Sequence, residues 1–195
     1  MVLLINRKLY VVNRKSNDEF HPKKDGIGHI NVSVKGKTKI GRILSNPAKT
    51  PFILHDHQFQ SVEGFLQSQL SYNHDVREKI SKGYGLKARR YSKEVKIKDG
   101  DPIMAWNKKV IIYKSKDWDD EVKKAVNAKI EQSEWAKNAL ISTGNLPLVH
   151  YHVKSGNVII NESFIPDYLM EIRAGLKTIV QSTHRGVAYH CERQA

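Results

Sequence analysis

The chain has 195 residues, a single cysteine, and 33 Lys and Arg against 20 Asp and Glu, for a formal charge of +13. That length suits one domain with a full core. The lone Cys191 excludes an internal disulfide and fits a reducing compartment, and no window is apolar enough to cross a bilayer. The cationic surplus favours an anionic partner, nucleic acid or a nucleotide, over a membrane surface. The alternative is a basic face that serves solubility.

Apolar runs at 2–5 and 9–12 flank Asn6-Arg7-Lys8 and read as a hairpin, followed by a polar loop over 13–29. Ile30, Val32 and Val34 alternate, Lys35-Gly36-Lys37 turns, and Ile40 and Ile43 follow, which predicts a second hairpin. A short strand is expected over 51–54. Val62, Phe65, Leu66, Leu70, Val76 and Ile80 then predict one helix from Ser61, its N-cap, to about Lys82, ended by Gly83 and Gly85. A short helix is expected over 86–93, and a β-like segment with two turns over 95–113. Asp117 is the expected cap of a helix that buries Val122, Ala125, Val126 and Ile130; Ser133 caps the next, and Gly144 ends it. Strands at 148–153 and 158–160 precede a last helix over about 166–180 and a polar tail. The class is α+β, a mainly helical single domain with three main helices and small β-hairpins.

No phosphate-binding GxxxxGK[ST], no GxGxxG, no HExxH and no Ser elbow occurs. What remains are single residues with two readings each. Glu63 lies in a first helical turn, where the helix dipole favours a carboxylate. It is a surface charge there, or it leads a second, more polar edge through Gln67 into a site. Trp118 either packs into the core or offers a flat face to a base. His55 with His57, and His150 with His152, each share a face if they lie on strands, which allows a metal site or a set of hydrogen-bonded rings. No Cys or carboxylate has ligand spacing with them, and no metal or cofactor is assigned. Lys87, Arg89 and Arg90 make a solvated cluster or a phosphate clamp.

In order along the chain stand LSN at 44–46, PF at 51–52, QSVEGFLQSQL at 60–70, REKI at 77–80, KARR at 87–90, DWDDEVKKAVNAKIEQ at 117–132, ALISTGNLPLVH at 139–150 and LMEIRAGL at 169–176. This series resembles the NADAR, or YbiA-like, family over about 40–180. The resemblance divides the chain into a basic β-hairpin extension at 1–39 packed on the domain, a NADAR-like domain at 40–182 and a polar tail at 183–195.

Members of that family cleave N-glycosidic bonds, including those of phosphorylated ribosylamines and of ADP-ribosylated guanine in nucleic acid. The resemblance therefore implies an N-glycosidase, an ADP-ribosyl hydrolase, with Glu63 as the catalytic carboxylate. Ser45, Asn46, Gln67, Arg89, Trp118 and His150 would surround the substrate. It needs no cofactor, and its partner is modified nucleic acid or another ADP-ribose-containing ligand, in the cytoplasm of a bacterial or phage-infected cell. Three positions depart from the pattern. Leu70 replaces a Lys, His150 replaces a Glu, and KSGNVIIN at 154–161 replaces a late Asp-x-x-Trp-Gly. Such changes fit a new substrate, or a site that binds without cleaving, for example a phage antagonist of a host ADP-ribosyltransferase toxin.

Overall fold

The computed structural model describes residues 10–12, 20–91, 97–155, 157–161 and 163–176. The run at 2–5, the loop residues 13–19, Lys93 and Val95, the end of the last helix beyond 176 and the tail lie outside the described residues.

The fold is α+β. Helix α5 (Lys116–Gln132) is its spine, about 25 Å long at 1.5 Å per residue. It buries Trp118, Val122, Ala125, Val126 and Ile130 along one stripe. Its N-cap is Ser115, whose hydroxyl accepts the Trp118 N–H at 3.4 Å, so the helix starts two residues before the expected Asp117 cap. Asp117 and Asp119 then occupy the first turn, where the helix dipole favours them. Helix α6 (Glu134–Ser142) follows at once from Ser133, as expected, and Gly144 takes φ +59° after it.

The second expected hairpin is not formed. Strand β2 (Ile30–Asn31) runs parallel to β7 (Leu148–Val149), and residues Lys39–Leu44 form helix α1. Thr38 caps α1 by accepting the Gly41 N–H at 3.0 Å. Ile40, Ile43 and Leu44 lie at helical spacing, but Gly41 weakens the helical signal. The tertiary reason for that glycine is close packing. A Cβ on Gly41 would sit 2.3 Å from the Asn31 carbonyl oxygen of β2.

Strands β3 (Phe52–Leu54) and β4 (His57–Phe59) make a hairpin with the two-residue turn His55-Asp56, both at positive φ, the geometry that matches strand twist. His55 is thus in a turn, not on a strand with His57. The single helix expected from Ser61 to Lys82 is two: α2 (Val62–Ser68) and α3 (His74–Ser81). Asn73 caps α3, accepting the Val76 N–H at 3.1 Å. The break has a sequence signature, because Val76 falls six residues after Leu70, off the helical period. Helix α4 (Leu86–Tyr91) and the hairpin β5 (Pro102–Met104) with β6 (Val110–Ile112) form where expected.

Strand β1 (Tyr10–Val12) pairs antiparallel with β9 (Asn157–Ile160), which pairs in turn with β8 (Tyr151–Lys154). A last helix, α7, spans 165–176. Ile30 and Val32 share one core with Phe59, Phe65, Val126, Leu140 and Leu169. Each such side chain contributes about 1.5–3 kcal/mol by leaving water. No described helix is long and apolar enough to cross a membrane.

Candidate functional site

Glu63 sits in the first turn of α2, but it is not a surface charge. It is 4% exposed. Ser61 fixes the start of that helix by accepting the Gly64 N–H at 2.9 Å, and its own hydroxyl donates to the Gly83 carbonyl at 2.9 Å. The Glu63 N–H donates to the Asn46 carbonyl at 2.9 Å, tying α2 to the loop after α1. Its carboxylate Oε1 accepts from Arg89 Nε at 2.7 Å and from Gln67 Nε2 at 3.2 Å. The edge seen in the sequence from Glu63 to Gln67 is therefore a hydrogen-bonded edge.

Glu63 forms part of the wall of a cavity of about 440 Å³ that also takes in Ser45, Asn46, Arg89 and His150. The volume falls within the range of about 300–1,000 Å³ common for small-ligand sites. Ser33, Lys35, His152, Lys154, Asn161 and Ser163 complete its polar lining. Among the described lining residues, Glu63 is the single carboxylate, and three Lys and Arg face the same space. An anionic ligand meets a favourable field there.

His150 stands across the cavity. Burial first, then the charges of His152 and Arg89, lower its pKa below the ordinary value, so the ring is neutral at pH 7. Asn161 braces it twice, with its side-chain amide 3.5 Å from His150 Nε2 and its backbone N–H donating to the His150 carbonyl at 2.8 Å.

Gln67 and Trp118 line an adjoining cavity of about 180 Å³, which shares Ser163 and Ile165 with the first. Trp118 is 6% exposed and packs edge-on to Tyr113, with ring centroids 5.0 Å apart. Of the seven residues singled out, five gather at the larger cavity and two at its neighbour. The histidine pairs do not converge. His55 bonds Glu121 at 2.7 Å, and His57 bonds Ser81 at 2.9 Å while stacking on Trp106. Among the described residues, no group of three or more His, Cys, Asp or Glu is placed to hold a metal ion.

Two features escaped the sequence reading. Lys35, His152 and Lys154 line the cavity, although the sequence offered Lys35 as a turn residue and His152 as a candidate metal ligand rather than as substrate contacts. Lys129 is fully buried, and its ammonium donates to the carbonyls of Ile43, Leu44 and Ser45 at 2.9, 3.0 and 2.9 Å. It thereby caps the C-terminal end of α1 and fixes the Ser45-Asn46 loop against Glu63. Its signal was available: Lys129 follows Val122, Ala125 and Val126 on the buried stripe of α5, where a solvated Lys does not belong.

No family model matches the sequence, and no curated protein matches it. Among solved structures, the NMR structure of the E. coli protein YbiA aligns with 80% of this chain and 92% of its own, with a TM-score of 0.50 and 19% sequence identity. The fold is YbiA-like. At that identity the likeness to YbiA concerns the path of the backbone. What the site does must be argued from its own residues.

Proposed function

We propose that the chain is an N-glycosidase that hydrolyses the bond between an ADP-ribose or related ribosyl group and a base, with ADP-ribosylated guanine in nucleic acid as the favoured substrate. The observation that carries this reading is the buried Glu63 carboxylate, held at 2.7 Å by Arg89 on the wall of a cation-lined cavity of nucleotide size. Breaking a ribose–nitrogen bond develops positive charge on the sugar. A carboxylate fixed beside the anomeric carbon stabilises that charge, and it can also orient the attacking water.

In this scheme the diphosphate lies among Lys35, Arg89 and Lys154. Arg89 shares its guanidinium between substrate phosphate and Glu63, so that substrate binding and carboxylate orientation are coupled. A neutral imidazole has one donor and one acceptor, so His150 orients a substrate hydroxyl or base edge and does not supply a proton as an imidazolium would. The order of family-like motifs and the YbiA-like fold support the assignment.

The test is incubation with single-stranded DNA ADP-ribosylated on guanine, read by mass spectrometry. The wild-type protein is expected to remove the ADP-ribose mass, and Glu63→Gln to slow its loss by about 100-fold or more. A second reading rests on Leu70 and His150, which stand where the family pattern has Lys and Glu. On that reading the chain is a binding module, for modified nucleic acid or for an ADP-ribosyltransferase toxin. Tight binding of the modified DNA by both proteins, with no loss of mass, would select it and reject the glycosidase.

A further inference from the structure

The basic residues are not spread evenly. Residues 26–55 contain Lys35, Lys37, Lys39, Arg42 and Lys49 and no Asp or Glu. Residues 79–91 contain Lys79, Lys82, Lys87, Arg89 and Arg90, again without a carboxylate. The fold brings these two segments together. The Gly85 N–H donates to the Pro47 carbonyl at 2.7 Å, which seats the start of α4 on the loop that walls the cavity.

Two exposed aromatic rings punctuate this surface. Tyr84 is 37% exposed, with the ammonium groups of Lys49 and Lys87 over its ring at 5.0 and 5.8 Å. Trp135 is 55% exposed, with Lys39 over it at 5.5 Å. Beside Trp135 lies a third depression, of about 250 Å³, lined also by Lys39, Arg42, Lys49 and Thr50. Lys49 belongs to both places, since it lines the depression and lies over Tyr84. Pro47 continues the path into the first cavity, beside Asn46. The nearby Glu134 is engaged by Lys137 at 3.4 Å.

Large exposed rings separated by cations, on a surface where the flanking carboxylate Glu134 is paired with Lys137, match what a single nucleic-acid strand requires. Bases stack on the rings, and phosphates pass the ammonium and guanidinium groups. We propose that Trp135, Lys39, Arg42, Lys49, Tyr84 and Lys87 form a binding track for single-stranded nucleic acid that leads to the cavity containing Glu63. The direction of the track rests on the reading of that cavity as a base-processing site, whereas strand binding itself does not. A polymeric substrate would then be held by its flanking nucleotides while the modified one enters the cavity.

The experiment is fluorescence anisotropy of the full chain with unmodified labelled oligothymidylate, and in parallel with oligouridylate and a DNA duplex. Trp135→Ala and Tyr84→Ala are each expected to weaken single-strand binding by about tenfold, the loss of one stacked base. Lys49→Glu should weaken it and reduce the slope of log K against log salt by at least about one. Lys116→Glu removes an equal charge at the far end of α5 and should leave affinity within about twofold. The two single strands separate DNA from RNA as the source. Equal losses in Lys49→Glu and Lys116→Glu with Trp135→Ala unchanged, or tighter binding of duplex than of single strand, would overturn the track.

Binding of unmodified oligothymidylate is measured without any turnover. Failure of the glycosidase therefore leaves the track standing, and turnover of a free ADP-ribosylated nucleoside without any strand binding would remove the track and leave the glycosidase.

Discussion

Lys129 ties α5 to the loop that walls the site through three carbonyls. Burial pushes its pKa down to about 7. Three carbonyl acceptors at about 2.9–3.0 Å pull the other way, because only the ammonium form has three N–H donors to give. Lys129→Met keeps the length of the stem and removes all three donors. It leaves more than one buried carbonyl without a partner, at about 1–3 kcal/mol each. The expected outcome is a loss of about 2–4 kcal/mol in urea unfolding, accompanied by weaker ligand binding because the Ser45-Asn46 loop is no longer held. An unchanged urea midpoint would show that the carbonyls find water instead. At the same scale, Arg89→Lys keeps the charge but loses the directed Nε–H bond to Glu63. It should reduce turnover on ADP-ribosylated DNA by about tenfold or more, whereas Arg89→Lys turnover equal to wild type would remove Arg89 from its assigned place.

The elements around Glu63 are packed through glycine. A Cβ on Gly64 would lie 2.7 Å from the Gly83 carbonyl oxygen and 3.1 Å from that of Ser81, so α2 rests directly on the end of α3. Gly64→Ala should therefore push α2 away from α3, costing about 1–3 kcal/mol of stability and shifting its neighbour Glu63. Thermal unfolding measures the first effect and the DNA assay the second; a thermal midpoint equal to wild type would refute the close packing. The same contact explains part of what was legible in the sequence. Ser61 and Ser133 were readable as caps because a side-chain hydroxyl before an apolar helical pattern acts locally. The α2–α3 break is less legible because the apolar residues on either side of the phase slip between Leu70 and Val76 outweigh the cap at Asn73, and helix α1 because Gly41 serves a contact with β2 that no local pattern announces.

Across the whole molecule, three histidines act together. Burial is the first cause of a lowered pKa at His29, His57 and His150. The unfolded chain takes up these protons near pH 6.5, while the folded chain takes them up only at lower pH. Between those values the unfolded state binds more protons, so unfolding is favoured as pH falls. Their contribution is complete above about pH 6.5 and is lost as the pH drops through the lowered folded values. Urea midpoints should fall from pH 7 toward pH 5, and His57→Gln should flatten that slope even where it lowers stability throughout. A slope unchanged in His57→Gln would show that this ring is not among the groups responsible.

The α+β class, the caps of α2 and α6, the β5–β6 hairpin, the buried face of α5 and the cationic surplus are all written in the linear pattern of residues. It also marked Glu63, Gln67, Asn46 and Arg89 as members of one series of motifs. These properties depend on side-chain period and on neighbours a few residues away, which a linear pattern records. Packing of the assembled chain sets the pairing of β2 with β7, the place of Trp118 at the second cavity rather than the first, and the reach of Lys129 to the carbonyls at the end of α1. The same packing brings two carboxylate-free segments together at Pro47 and Gly85. Those outcomes join residues tens of positions apart. They are set by which surfaces pack together once water is excluded, and that is a property of the assembled core.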